Sequence, residues 1–152
     1  MSLMRYLAID LGDKRTGLAL GDGETRLATP MGVVEIPLAR SDGAALLEAL
    51  AGEIDEQIGE DAPAELVVGL PLNMDGSEGP RAALVRAFAD RLARRTGRRV
   101  HLHDERLTSV DADWAMAGSG LTHGQKKSRR DALAAAAILR SFLGQSGDGA
   151  RG

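Results

Sequence analysis

The chain has 152 residues, of which 43% are hydrophobic and 27% charged, and its formal net charge at pH 7 is −3. This composition fits one globular domain and excludes a disordered chain, and the absence of cysteine excludes disulfides and cysteine-ligated metal centres. No apolar run reaches the ~18 residues that a membrane-spanning helix needs, and strand-forming residues follow Met1–Met4 directly, so we expect a cytoplasmic protein with no secretory signal and no membrane partner.

The first forty residues predict three strands joined by short connections, which favours an antiparallel meander. Arg5–Leu11 is apolar on consecutive residues, as in a central strand that is covered on both faces. Thr16–Asp22 is the second predicted strand, and Gly32–Pro37 is a short third one. Asp10 ends the first apolar run, where a carboxylate either accepts turn amides or meets a cation in a functional site.

Helices and strands alternate over the next sixty residues. A helix is predicted from Ser41 or Asp42 to Gly59, followed by a buried strand at Glu65–Leu70. An irregular loop, residues 71–80, leads to a second helix over residues 81–96. The apolar faces of the two helices consist of Leu47, Leu50, Ile54 and Ile58 in the first and of Leu84, Phe88 and Leu92 in the second.

The last third of the chain begins with a fifth strand at Arg99–His103, which Asp104 and Glu105 follow. A capping-box pattern at residues 108–111 predicts a short helix that carries Trp114 and Met116. A glycine- and lysine-containing loop, residues 117–128, precedes a final helix over residues 129–143.

The element order is therefore βββαβαβαα, which predicts an α/β fold. Helical crossovers make the later strand pairs parallel, whereas the first three strands are antiparallel. We expect a mixed five-stranded sheet with helices on both faces, formed by residues 1–144, and a flexible C-terminal tail at residues 145–152.

Three acidic positions should meet at one edge of this sheet, because sites in open α/β sheets form at the carboxyl ends of strands. Asp10 ends the first strand, and Glu105, beside Asp104, follows the fifth. The helix dipole explains an acid such as Asp131 in the first turn of the last helix, but not its direction. Asp131 shares a face with residues that should pack on the sheet, namely Ala134, Ala135, Ile138 and Phe142.

Carboxylates that converge without compensating bases repel one another, and hard divalent cations relieve that repulsion. Oxygen ligands without cysteine or a well-spaced histidine pair indicate Mg²⁺ or Mn²⁺, which can support cleavage of phosphodiester bonds. Basic residues next to Asp131 are placed to hold nucleic-acid phosphates, namely Lys126, Lys127, Arg129 and Arg130.

The charge distribution permits such a nucleic-acid partner. Residues 1–80 hold 5 basic and 15 acidic side chains, whereas residues 81–130 hold 12 basic and 5 acidic ones. A basic segment beside an acidic one can form a basic face, although a solvated arginine face is the more frequent explanation for any single charge run.

Four motifs resemble the YqgF/RuvX family of RNase H-like nucleases, described as Holliday junction resolvases and pre-16S ribosomal RNA nucleases. They span nearly the whole chain in the family's order, and their combination is far more specific than any one of them. The motifs are Asp10-Leu11-Gly12 with Lys14-Arg15 and Gly17, residues 68–77 (VGLPLNMDGS), residues 104–109 (DERLTS), and residues 131–135 (DALAA) with Ile138-Leu139.

The resemblance implies an RNase H-like fold and a metal-dependent endonuclease that matures the 5′ end of pre-16S rRNA. Carried onto this sequence, the catalytic and metal-binding carboxylates are Asp10, Glu105 and Asp131, with Asp104 in reserve for the middle position. RNase H-like enzymes usually carry an acid at the end of the fourth strand, where this chain has residues 69–71 (GLP), so the fifth-strand acid would have to substitute.

Further polar residues are candidates for substrate binding. Arg106 would either bind a phosphate or pair with Glu105, and the basic residues after Asp10 would either meet phosphate or balance Asp10 and Asp13. His123 could assist proton transfer, although a solvated loop histidine is the simpler explanation. The substrate-binding candidates are Lys14, Arg15, Asn73, Arg106, Lys126, Lys127 and Arg130.

Other functions stay open on the sequence alone. A Holliday junction resolvase would cut branched DNA and would need a symmetric dimer, so the chain is either a monomer or a homodimer. A non-catalytic nucleic-acid-binding module would explain the missing fourth-strand acid. A nucleotide-binding half of the actin and sugar-kinase type would need a second such domain, and the chain has no phosphate-binding glycine motif of the usual kinds.

Overall fold

The computed structural model describes residues 4–108 and 123–151, with side chains described at 4–108 and 129–145. Within these residues, short 3-10 turns at Arg40–Gly43 and Glu105–Leu107 accompany the longer elements. Those elements are β1 (Arg5–Asp10), β2 (Thr16–Asp22), β3 (Ala28–Val34), α1 (Ala44–Ile58), β4 (Ala64–Leu70), α2 (Pro80–Thr96), β5 (Val100–Asp104) and α3 (His123–Arg151).

The strands of the described residues form one mixed sheet in the order β3-β2-β1-β4-β5. β2 pairs antiparallel with both β1 and β3, and β4 pairs parallel with both β1 and β5. The predicted meander and parallel crossovers are therefore confirmed. The carboxyl ends of β1, β4 and β5 lie together, and we call this side of the sheet the carboxyl edge.

Helices cover both faces of the sheet, which explains the uninterrupted apolar run of β1. Leu7 and Ile9 belong to the core under α1 and α2, whereas Ala8 belongs to the core under α3. All three are fully buried. The α3 side is rich in alanine, so this helix lies close to the sheet.

The structure corrects the bounds of the third strand and the apolar face of α2. β3 begins at Ala28 and passes through Pro30, because an edge strand that pairs on one side only tolerates a residue without an N–H group. Leu84 was expected in the core of α2 but is 44% exposed, and Val85 is buried in its place. The buried positions of α2 are Ala82, Val85, Phe88, Ala89 and Leu92, which follow the 3.6-residue period more closely.

The starts of two helices also differ from expectation. Ser41 and Asp42 cap no helix, because both have positive φ angles, of 51° and 57°, inside the 3-10 turn, and α1 begins after them at Ala44. α3 already begins at His123, where a loop was expected, and continues to Arg151; residues 125–130 are mostly good helix formers. The division into a domain and a flexible tail stays a prediction.

The predicted short helix with Trp114 and Met116 lies outside the described residues. In the part of the chain that is described, no helix combines the length and apolar character needed to cross a lipid bilayer.

Candidate active site

Asp10 is brought next to the last helix by a glycine on the neighbouring strand. It pairs with Gly17 across β1 and β2, and a Cβ atom on Gly17 would lie 2.0 Å from the carbonyl oxygen of Asp131. A residue without a side chain is therefore required for the α3 backbone to rest directly on the sheet here. As a result, Asp10 and Asp131 lie on adjacent segments at the carboxyl edge.

Glu105 reaches the same edge through a second glycine. It begins the 3-10 turn that follows β5, and a Cβ atom on Gly69, near the end of β4, would lie 2.6 Å from its Oε1 atom. The carboxylate of Glu105 thus lies over the end of β4, where the family pattern led us to expect an acid. The fifth-strand acid takes the place of the missing fourth-strand acid by reaching across to β4.

The environment disfavours the charged forms of two of these carboxylates. Burial raises the pKa of Asp10 to about 7, with added contributions from the charges of Glu105 and Asp131 and an opposing one from Arg81. Burial likewise raises the pKa of Glu105, against the opposing charge of Arg81. Within the described residues, no hydrogen bond or salt bridge engages either carboxylate. A cation in contact with them would relieve this unfavourable state.

Asp131, by contrast, already has a cationic partner. Nε of Arg15 donates a hydrogen bond to its Oδ2 atom at 2.8 Å, and the two side chains are 30% and 29% exposed. Arg15 was predicted to bind substrate or to balance Asp10 and Asp13. In the structure it balances Asp131, which is 116 residues away along the chain.

The structure separates the roles of Asp104, the last residue of β5, and Glu105, which begins the following turn. Asp104 accepts hydrogen bonds from the backbone N–H of Arg106 at 2.9 Å and from Nη2 of Arg106 at 2.8 Å. Arg106 also donates to the carbonyl oxygen of Met74 at 3.0 Å. Of the two roles left open for Arg106, pairing with Glu105 is not seen among the described contacts, since Arg106 pairs with Asp104 instead. Asp104 is thus engaged in the turn, and Glu105 is left to face the site.

Hydrogen bonds of Ser141 connect the end of β5 and this turn to the last helix. Nε2 of His103 and Oγ of Ser141 are 2.8 Å apart, and the same Oγ donates to the carbonyl oxygen of Leu107 at 3.3 Å. His103, on β5, is buried. No local pattern indicated this contact, which joins β5, the turn carrying Glu105, and α3.

Arg81 is a functional candidate that sequence reasoning missed. It belongs to the basic segment for which a solvated arginine face is the more frequent explanation, yet its Nη2 atom donates to the carbonyl oxygen of Leu11 at 2.8 Å, and its Nη1 atom pairs with Asp13. The same ion pair gives a partner to Asp13, an acid whose role the sequence did not explain. Its contact with the backbone of Leu11, the residue after Asp10, could not be read from the helical pattern of α2.

The remaining predicted substrate residues are spread around the edge. Lys14 and Arg130 are exposed. Nδ2 of Asn73 donates to Oγ of Ser77 at 3.0 Å and helps close the loop between β4 and α2. The side chains of His123, Lys126 and Lys127 lie outside the described residues, although their backbone belongs to α3.

The carboxylate oxygens at the carboxyl edge are donors that a hard divalent cation prefers. Among the described side chains, no three acidic or histidine groups stand close enough to form a ready-made metal site. The chemistry of the donors nevertheless fits Mg²⁺ or Mn²⁺, because Asp10, Glu105 and Asp131 offer only oxygen and the first two lack a cation in contact. Binding through all three would require Asp131 to exchange Arg15 for the metal.

Comparison with known sequences gives consistent matches over almost the whole chain. A sequence profile of the RuvX family, described as Holliday junction resolvase, matches residues 4–145. A protein from Anaeromyxobacter sp. is 45% identical over 141 residues, which covers 92% of this chain and 96% of that protein. One from Pelotomaculum thermopropionicum is 37% identical over 144 residues, covering 95% and 89%. Both carry the name "Putative pre-16S rRNA nuclease".

Comparison with solved structures identifies the fold. RuvC from T. thermophilus, in complex with a Holliday junction substrate, matches with a TM-score of 0.58 and 14% identity over 96% of each chain. A second Thermus thermophilus RuvC structure matches with a TM-score of 0.51 and 16% identity, covering 95% of this chain and 97% of that one. At such low identity the likeness shows the fold alone, and it confirms the expected RNase H-like architecture.

Proposed function

The chain belongs to the RuvX family. On this premise we propose that it is a nuclease that hydrolyses phosphodiester bonds, with an active site formed by Asp10, Glu105 and Asp131. The observation that carries the proposal is the position of the Glu105 carboxylate over Gly69. It adds an acid from the turn after β5 to the edge of the sheet that Asp10 of β1 and Asp131 of α3 share.

We infer that the three carboxylates hold Mg²⁺ or Mn²⁺. When bound, such an ion supplies an activated water and stabilises charge on the leaving oxygen. The protein contributes oxygen ligands and their placement, since Gly17 and Gly69 set how closely Asp131 and Glu105 approach the sheet. Asp10, whose pKa is about 7 without a cation, is kept ionised at neutral pH by the charge it binds.

The substrate that we propose is the precursor of 16S rRNA, cut at its 5′ end. The names of the relatives support this choice, and the basic residues around the carboxyl edge suit a phosphate backbone. Cleavage of a four-way DNA junction is the second candidate, supported by the description of the family. A junction enzyme has to place two symmetric cuts and therefore has to act as a dimer. The cytoplasmic location stays an expectation.

The test is a cleavage assay on two labelled substrates with Mn²⁺, and again with a chelator. One substrate is a precursor RNA that spans the mature 5′ end of 16S rRNA, and the other is a four-way DNA junction. Asp131→Asn should abolish cleavage, whereas Asp55→Asn, an exposed acid on α1 far along the chain from the site, should leave it unchanged.

Each outcome assigns a function. Metal-dependent cutting of the RNA at the mature end supports the proposal, and paired symmetric cuts in the junction alone would replace it with resolvase activity. If neither substrate is cut while the RNA still binds, the chain is a non-catalytic nucleic-acid-binding module.

A further inference from the structure

Arg81 acts electrostatically on both carboxylates that have no cation in contact among the described residues. Its guanidinium donates to the carbonyl oxygen of Leu11, the residue that follows Asp10, at 2.8 Å. Its charge acts on Asp10 and on Glu105 in the same direction, favouring the ionised form of each. Arg81 is the second residue of α2, so it emerges where that helix begins, directly after the loop that leaves β4.

Two basic residues that the sequence assigned to phosphate binding are engaged elsewhere. Arg15 is paired with Asp131, and Arg106 is held by Asp104 and by the carbonyl oxygen of Met74. The acids that these two arginines contact are mostly shielded from solvent: the side chain of Asp131 is 29% exposed and that of Asp104 is 19% exposed. Arg15 and Arg106 would therefore have to break well-formed ion pairs in order to reach a substrate.

Arg81 differs in the partner that it would have to leave. The Asp13 side chain is 81% exposed, and that of Arg81 is 37% exposed. Ion pairs that are so accessible to water are weak, because water and salt compete with them. A phosphate can replace Asp13 and still receive two parallel N–H donors from the guanidinium, which matches phosphate geometry.

We propose that Arg81 binds the phosphate that is cleaved and that Asp13 holds its guanidinium at the carboxyl edge until that phosphate arrives. The inference rests on the proposed function, because it concerns the same site and the same class of substrate. It assigns to Arg81 a contact with substrate and to Asp13 a positioning role. The experiment has to distinguish this substrate contact from a purely structural ion pair between Arg81 and Asp13.

The binding arm uses the full-length chain with Asp10→Asn, which should bind the labelled precursor RNA without cutting it. Affinity is measured against salt concentration after each further substitution. Arg81→Gln should weaken binding and lower the salt slope by about 1, as expected for the loss of one phosphate contact. The matched control is Arg86→Gln, which removes an arginine of the same helix that pairs with Glu78 and should leave the slope unchanged.

The cleavage arm uses the chain with Asp10 intact. Arg81→Gln should lower kcat by on the order of 100-fold, as for the loss of one donor to charge that develops in a transition state. Arg81→Lys should restore part of the loss. Asp13→Asn removes the contact that positions Arg81 but leaves the guanidinium able to meet the phosphate, so it should raise KM several-fold and lower kcat far less than Arg81→Gln does.

The outcomes separate the inference from the proposed function. If Arg81→Gln matches Arg86→Gln in both arms, or if Asp13→Asn loses as much activity as Arg81→Gln, the phosphate contact is wrong while the nuclease stands. If the unmodified chain cuts neither substrate, the nuclease and the role of Arg81 both fall. Thermal unfolding of each variant checks that lost activity does not reflect lost structure.

Discussion

The carboxylate of Glu105 fills the space that a side chain at Gly69 would need, because a Cβ atom there would lie 2.6 Å from Oε1. At the end of β4, where an acid was expected, Gly69 leaves space at the carboxyl edge. The side chain of Glu105, from the turn after β5, occupies that space. The two residues form one unit, in which the identity of residue 69 decides where the carboxylate of residue 105 can lie.

Gly69→Ala should accordingly disable the site without unfolding the protein. The added methyl group would meet the outer ends of two flexible side chains, Glu105 and Ile138, at 2.6 and 2.7 Å. Both can move aside, so we expect a loss of only ~1 kcal/mol in the free energy of unfolding. Displacement of Glu105 by about 1 Å should lower cleavage on the order of 100-fold. Steady-state cleavage of the precursor RNA and urea unfolding measure the two effects.

The control for that substitution is Gly52→Ala in the interior of α1, where a Cβ atom would meet nothing within 4 Å. It should raise the free energy of unfolding by up to about 1 kcal/mol, because alanine favours a helix over glycine, and it should not change cleavage. Full activity in Gly69→Ala would show that the position of Glu105 does not matter for catalysis.

Gly17→Ala should act mainly on stability. Its Cβ atom would lie 2.0 Å from the carbonyl oxygen of Asp131 and 2.5 Å from the carbonyl carbon, and both are backbone atoms that no side-chain rotation can move. We expect a loss of about 3 kcal/mol in the free energy of unfolding as α3 is pushed off the sheet. Urea unfolding measures it, and a midpoint equal to that of the unmodified chain would contradict the close packing of α3.

The pKa of Asp10 predicts how stability depends on pH in the absence of metal. Its value of about 7 in the folded chain lies above the value near 4 of an unfolded chain, so the folded state binds the proton more tightly. Tighter proton binding by Asp10 therefore stabilises the folded state; this contribution is complete below pH ~4 and is lost as pH rises to ~7. Stability should therefore fall over this range, by up to about 4 kcal/mol from this group.

Asp10→Asn should remove this part of the pH dependence and be more stable than the unmodified chain at pH 8. Denaturant unfolding at several pH values in the presence of a chelator measures the difference. A difference between the two proteins that stays constant from pH 5 to pH 8 would mean that Asp10 is not desolvated.

The ion pair between Arg15 and Asp131 predicts competition with a metal. A cation that uses Asp131 has to displace the guanidinium 2.8 Å from its Oδ2 atom. Arg15→Gln should therefore tighten Mn²⁺ binding several-fold, since the competing charge is removed. Calorimetric titration with Mn²⁺ measures the affinity, with Arg95→Gln, whose arginine pairs with Glu48, as the matched control. An unchanged affinity in Arg15→Gln would contradict competition between Arg15 and the metal for Asp131.

Local pattern was sufficient to predict the sheet and to place three acids at one edge of it, while their catalytic role stays a prediction. The run Leu7-Ala8-Ile9 is apolar on both faces because helices cover both faces of the strand. Burial of apolar side chains follows the period of each element, and that period is a property of the sequence alone. Asp10 and Glu105 could be named because each stands at the end of a strand, and Asp131 because it shares a helix face with residues that pack on the sheet.

Only the tertiary structure decided which groups those acids meet. Whether Arg106 pairs with Asp104 or Glu105, and whether Arg15 meets a phosphate or Asp131, depends on distances between segments that lie far apart along the chain. The contribution of Arg81 was hidden for the same reason, since its helical position indicates exposure but not the neighbouring strand. Ion pairs depend on separations of a few ångströms, and those separations arise only when the helices pack on the sheet.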